Sequence, residues 1–281
     1  MLLTLSARTL WREGRCVRPG LDLPSLPKWA REEFGFQGLT LPTSLFTGWD
    51  APQVERLRDQ ADKSGCPCLI LIEEAPKALA SSDAAEAEAA LTRMDRVLLV
   101  AYRLGCSSVV MSVADPSRPP DLDVLAKRLK SIVVKSERLE LNLLLAPAPG
   151  LTDSPEKMTA LVRKVGGFRI GAFPDFQAAA GSPDPSAYLR GLTPYASAVC
   201  ASMLAFDSKG RHTSFDVEAC MKAIRSVGFD ATLAVEYRGN GDPLGAIRAA
   251  RQILESFLNP EDAGAPAGAA DKDDDDEEDE S

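Results

Sequence analysis

One histidine, His212, stands in 281 residues. Any Ser-His-Asp or Cys-His arrangement must run through that imidazole, and no spacing around it supports one. Cysteines are few and scattered, at 16, 66, 68, 106, 200 and 220. Their one close pair, Cys66-Pro-Cys68, lacks the spacing of a zinc site or redox motif. Reduced thiols in a cytoplasmic protein are the simplest reading. No apolar run approaches the roughly 18 residues of a membrane span. The first residues carry no basic stretch, and their apolar run is short for a signal peptide.

A basic surface is missing too. The net charge is −9, but from Pro260 onward 11 acids and one Lys carry −10, which leaves the rest at +1. A nucleic-acid binder is not expected from such a balance. The acidic segment 259–281 cannot bury apolar surface and repels itself, so it reads as a disordered tail. It serves solubility or docks on a basic partner. Oligomeric state is open, a homo-oligomer included.

What is present is globular composition, 45% hydrophobic and 26% charged. Eight strand-like apolar runs, at 2–7, 36–42, 68–74, 108–114, 139–146, 168–176, 197–204 and 232–237, alternate with helical periodicity. Most runs are nearly continuous hydrophobics, as in parallel strands covered on both faces. The intervening helices open on Asp or Ser and often close on Gly. The patterning is weakest near 24–33 and 185–190. Eight strand–helix units over residues 1–258 match the length and order of a single (β/α)₈ TIM barrel. A doubly wound open sheet is the alternative. No glycine-rich nucleotide turn follows the first strand, and Gly239, Gly241 and Gly245 have the wrong spacing for one.

Chemistry in such a barrel sits at the carboxyl ends of the strands. Those ends offer Ser6 and Arg8, Glu73 and Glu74, Ser112 and Asp115, Ala146, Asp175, Cys200 and Ser202, and Glu236 with Arg238. Period-two parity puts Thr232, Ala234 and Glu236 on one face. The same count groups Asn142, Leu144 and Ala146, then Arg169, Gly171, Phe173 and Asp175, and also Ala198, Cys200 and Ser202. If these faces point inward, Glu236 and Asp175 converge at the barrel mouth.

Three stretches then carry a resemblance: "GGFRIGAFPDF" (166–176), "YLRGLTPYASAVCASMLAFDSKGR" (188–211) and "CMKAIRSVGFDATLAVEYRGNGDPLGAIRAA" (220–250). They resemble the xylose-isomerase-like barrels of the sugar phosphate isomerase/epimerase superfamily. The resemblance implies a small sugar or polyol at the mouth. It also implies a divalent metal (Mn, Mg or Zn) held by Glu, Asp, His and Glu from strands five to eight. The two Glu of that set serve as proton-transfer bases. Carried over by position, Asp175 and Glu236 match as catalytic and metal-binding residues. Ala146 stands where the first Glu belongs, and Cys200 where the His belongs. Two carboxylates alone hold Mg²⁺ or Mn²⁺ weakly, while a Cys200 thiolate selects a softer ion such as Zn²⁺.

Two readings follow. One is a sugar isomerase or epimerase with an altered metal site or none. The other is a barrel that binds a ligand, or serves as a scaffold, without the chemistry. Without metal, two converging carboxylates repel unless a cation lies near, and Arg8, Arg169 and Arg238 are the candidates. Glu73 or Glu74 offers a further carboxylate from strand three. Around His212, Lys209 and Arg211 complete a positive trio suited to a ligand phosphate or carboxylate.

Overall fold

The computed structural model describes residues 1–12, 15–114 and 121–258. Asp115 and the acidic segment 259–281 lie outside the described residues. Eight parallel strands form one sheet: β1 Leu2–Ser6, β2 Leu39–Pro42, β3 Cys68–Ile72, β4 Ser108–Met111, β5 Asn142–Leu145, β6 Ile170–Ala172, β7 Ala198–Met203 and β8 Thr232–Tyr237. The ladder runs β6-β5-β4-β3-β2-β1-β8-β7. The Cys200 N–H donates to the Pro174 carbonyl at 2.8 Å, and a parallel bridge joins Asp175 to Cys200. That contact closes β6 onto β7 and completes a (β/α)₈ TIM barrel.

Parity sorts the side chains as the sequence pattern implies. Leu3, Leu5, Leu41, Leu71, Val109, Leu143, Val199 and Val235 point outward and pack into the main core under the helices. Burying each such side chain contributes about 1.5–3 kcal/mol. Ile70, Val110, Leu144, Phe173, Cys200 and Ala234 make a separate inner cluster. Beside that plug, the buried Thr4 and Thr40 hydroxyls bond to each other at 2.8 Å.

The helices are α1 Leu26–Phe34, α2 Ala51–Lys63, α3 Ala84–Leu104, α4 Leu122–Arg138, α5 Pro155–Val165, α6 Phe176–Ala180, α7 Pro185–Leu192, α8 Val217–Ser226 and α9 Pro243–Leu258. Acidic or hydroxyl caps start most of them. Asp50 and Gln53 close a capping box, and Asp83, Asp121, Ser154, Asp184 and Asp216 each accept first-turn N–H groups. Such a cap contributes roughly 1 kcal/mol. Among the described residues no helix is long and apolar enough to cross a membrane.

β5 and β6 fall furthest short of their apolar runs, 139–146 and 168–176. Before β5, Glu140 takes φ 59° to turn the chain out of α4, so pairing begins only at Asn142. After β6, Pro174 has no N–H to give, and beyond the Asp175–Cys200 bridge the chain turns into α6, which the Asp175 side chain caps. Gly171 in β6 is required by close approach. A Cβ there would lie 2.1 Å from the Tyr195 carbonyl oxygen.

Candidate functional site

The mouth of the barrel is an open cavity of about 520 Å³, lined in part by Arg8, Glu73, Ser112, Ala146, Gln177 and Arg238. Its floor is polar. Glu236, on the inward face of β8, is 2% exposed, and Asp175, at the end of β6, is 7% exposed. The two carboxylates do converge, and a guanidinium stands between them.

That guanidinium is Arg238. It follows Glu236 by two residues, and its N–H extends the β8–β7 ladder to the Met203 carbonyl at 2.8 Å, so it shares the inward face. Its Nε donates to Glu236 Oε1 at 2.6 Å and its Nη2 to Asp175 Oδ2 at 2.6 Å. The Nη1 donates to Gln177 Oε1 at 3.0 Å, and Nη2 also lies 3.5 Å from the Cys200 sulfur. Gly239 helps to fix this backbone. A Cβ there would lie 1.8 Å from the Leu204 carbonyl oxygen.

The other carboxylate oxygens are occupied as well. Ser6 Oγ donates to Glu236 Oε2 at 2.8 Å, and Arg8 Nη1 approaches Oε1 at 3.3 Å. Asp175 Oδ1 accepts from Ser202 Oγ at 2.9 Å and from the Ala178 N–H at 3.0 Å. Burial works against the Arg238 charge, but the Asp175 and Glu236 carboxylates outweigh it and hold the guanidinium protonated. Burial also drives the Cys200 thiol well above its ordinary value, with the Asp175 charge adding to it. Cys200 is therefore a neutral thiol at neutral pH, not a thiolate ligand.

The divalent metal that the resemblance implies does not fit this donor set. Arg238 already takes the facing oxygens of Asp175 and Glu236, and Ala146 supplies no donor. Among the described residues no group of three or more His, Cys, Asp or Glu is placed to hold a metal ion.

Glu73 makes a second charged cluster at the rim. It is 4% exposed and accepts from Lys77 at 2.8 Å, from Arg93 at 2.8 and 2.7 Å, and from Thr43 Oγ1 at 3.2 Å. Burial pushes its carboxyl up, but Lys77 and Arg93 prevail and hold it below the usual range. Glu74 is more open and lies 3.8 Å from Arg8 Nε. A carboxylate depressed in the folded state stabilises above its unfolded value and loses that contribution as pH falls through the folded value. Wild-type stability should therefore drop from about pH 4.5 downward, the ordinary Glu range. Glu73→Gln should flatten that part of a urea-midpoint-versus-pH curve; an unchanged slope contradicts the pairing.

Of the other residues singled out in the sequence, Arg8, Glu73, Glu74, Ser112, Ala146 and Arg238 line the mouth, while Ser6, Cys200 and Ser202 sit against the Asp175–Arg238–Glu236 bridge. The trio near His212 does not join them. His212 Nε2 accepts from the Leu204 N–H at 3.0 Å, and Nδ1 faces the Phe215 carbonyl at 2.9 Å, with the ring between Phe206 and Phe215. Burial lowers its basicity, and both nitrogens are taken, so it staples its loop. Arg211 pairs with Asp207 at 2.7 Å, and Lys209 lies in an exposed turn. Arg169 is excluded from the mouth: it donates to the Glu140 carbonyl before β5, at the opposite end of the barrel. Gln177, Lys77 and Arg93 are functional neighbours that the sequence pattern does not reveal. Gln177 lies just past the apolar run 168–176, where no periodicity marks the short α6. The other two carry no local signal, because loop closure and α3 bring them to Glu73.

The family model of the xylose isomerase-like TIM barrel matches residues 28–257. Among solved structures, an L-ribulose 3-epimerase superposes with a TM-score of 0.76 at 15% identity, over 95% of this chain and 99% of that one. A D-psicose 3-epimerase from Clostridium cellulolyticum H10, solved with D-tagatose, gives 0.73 at 14% identity over 92% and 98%. The IOLI protein, solved with a bound zinc atom, gives 0.71 at 13% identity over 92% and 99%. At these identities the likeness is one of fold. No functionally curated protein matches the chain by sequence.

Proposed function

Because this chain belongs to the xylose isomerase-like TIM barrel family, we propose that it binds a small sugar or polyol at the barrel mouth without the family's metal. The observation that carries the reading is Arg238, clasped by Asp175 and Glu236 at 2.6 Å each beneath an open cavity of about 520 Å³. A volume of that size suits a monosaccharide. The guanidinium supplies the positive charge a divalent ion would bring, but it offers no open coordination position to a substrate oxygen. Both carboxylates accept donors on both oxygens, which leaves them poorly disposed to take a proton from carbon. They act as the frame that holds Arg238 and present its outer N–H groups, with Arg8, to ligand hydroxyls. The site is a binding site rather than an isomerising one.

Calorimetric titration with D-fructose, D-tagatose and a matching polyol tests this. Saturable binding is expected, weakened at least about tenfold by Ala146→Phe, which fills the mouth with desolvating bulk and costs about 1.4 kcal/mol of binding or more. No epimer should accumulate in the same samples. A product that forms with wild type and vanishes with Asp175→Asn would overturn the binding-only reading. No binding of any of the three compounds would overturn the ligand class.

A further inference from the structure

A second cavity, about 810 Å³, opens on the outer wall between α1 and α2. Four cations line it, Arg18, Lys28, Arg31 and Lys63, against one acid, Glu32. Lys28 is 3.8 Å from Glu32, while Arg31 and Lys63 make no ion pair among the described residues. Neighbouring acids are engaged elsewhere: Glu33 pairs with Arg248, Asp62 with Arg58, and Asp22 accepts the Ser25 N–H. Trp29 also lines the groove, with the Arg18 guanidinium 4.6 Å from its ring centre. Its indole N–H is buried and has no hydrogen-bond partner among the described residues. The excess positive charge left by Arg31 and Lys63 favours an anionic occupant, and Trp29 on the wall can report its arrival.

We infer that the acidic run 271–280 of this chain docks in this groove on its own barrel. Charge and reach both favour that occupant. The run holds nine acids and one Lys. α9 lies against the far side of α1: Arg248 reaches Glu33 at 2.7 Å and covers the Phe34 ring, and Arg251 covers Phe36. Beyond Arg251 the helix runs seven more residues, about 10 Å, to Leu258, and the Phe257 carbonyl there accepts from Arg225 of α8. Residues 259–270 intervene, and 12 residues span at most about 40 Å extended. As a flexible coil the same length averages roughly 19 Å. Tethering at that distance gives a local concentration in the mM range, so individually weak, salt-screened pairs suffice. The positive charge such a run would meet is that of Arg31 and Lys63.

The indole N–H resonances of ¹⁵N-labelled full-length protein test this, with Trp29→Phe identifying the Trp29 signal. Neutralising Asp273, Asp274, Asp275 and Asp276 to Asn should shift that signal. The double change Arg31→Glu with Lys63→Glu, or raising salt to about 0.5 M, should shift it likewise. A Trp29 signal unmoved by tail neutralisation at low salt overturns the proposal. A shift that grows with protein concentration overturns it too, because the tail would then be reaching a second copy.

Discussion

Replacing Arg238 with Met is expected to cost the barrel about 3–5 kcal/mol at pH 7, the usual penalty for stranding buried charge. Asp175 and Glu236 would then face each other, 7% and 2% exposed, with only hydroxyl and amide donors and the longer Arg8 contact left. For a domain of this size the loss amounts to roughly 10 °C in Tm. Acid should recover part of it, because a stranded carboxylate can take up a proton. Glu236→Gln should be milder, because Arg238 keeps its bond to Asp175. Arg238→Lys should rescue only partly, since a single ammonium cannot reproduce the planar fork. A urea melt giving Arg238→Met within about 1 kcal/mol of wild type, a difference of the size expected for exposed pairs, contradicts the bridging role.

The second large effect is a gain. Restoring the two missing ligands by Ala146→Glu and Cys200→His should create no metal site by itself, because Arg238 still fills the space between Asp175 and Glu236. Adding Arg238→Gln removes the resident cation and leaves four oxygen and nitrogen ligands on adjacent strand ends. The triple variant should bind Mn²⁺ at least about 10- to 100-fold more tightly than the double, the scale on which neighbouring groups tune metal sites. Its three carboxylates should destabilise the metal-free form, so Tm should rise on adding Mn²⁺. Equal affinity in the double and triple variants would mean that Arg238 does not block the site.

Much of this is legible in the residues, for identifiable reasons. Runs such as "CLILI" and "TLAVEY" are buried on both faces and so read as strands whatever surrounds them. Parity alone brings Glu236 and Arg238 to one face, and the same parity lifts Asp175 above Phe173. The ends of β5 and β6 are less legible, because they depend on one positive φ at Glu140 and one missing donor at Pro174. The charge partners of Glu73 are not legible at all. Arg93 is one of many cations on a long amphipathic helix, and only the packing of α3 against β3 selects it. His212 misleads for a related reason. A loop histidine beside two cations looks available, yet the loop folds back so that Phe206 and His212 pair and both ring nitrogens meet backbone. The loss of two family ligands is visible as Ala146 and Cys200. That Arg238 takes the position between the remaining two emerges only once the barrel closes.

The most direct test of that substitution is Mn²⁺ titration of the full-length protein beside its Asp175→Asn variant. The acidic segment can draw Mn²⁺ weakly in both, so the difference between them isolates the barrel mouth. With Arg238 in the metal's place, the account predicts superimposable isotherms. A stoichiometric site present in the wild type and lost in Asp175→Asn would contradict it.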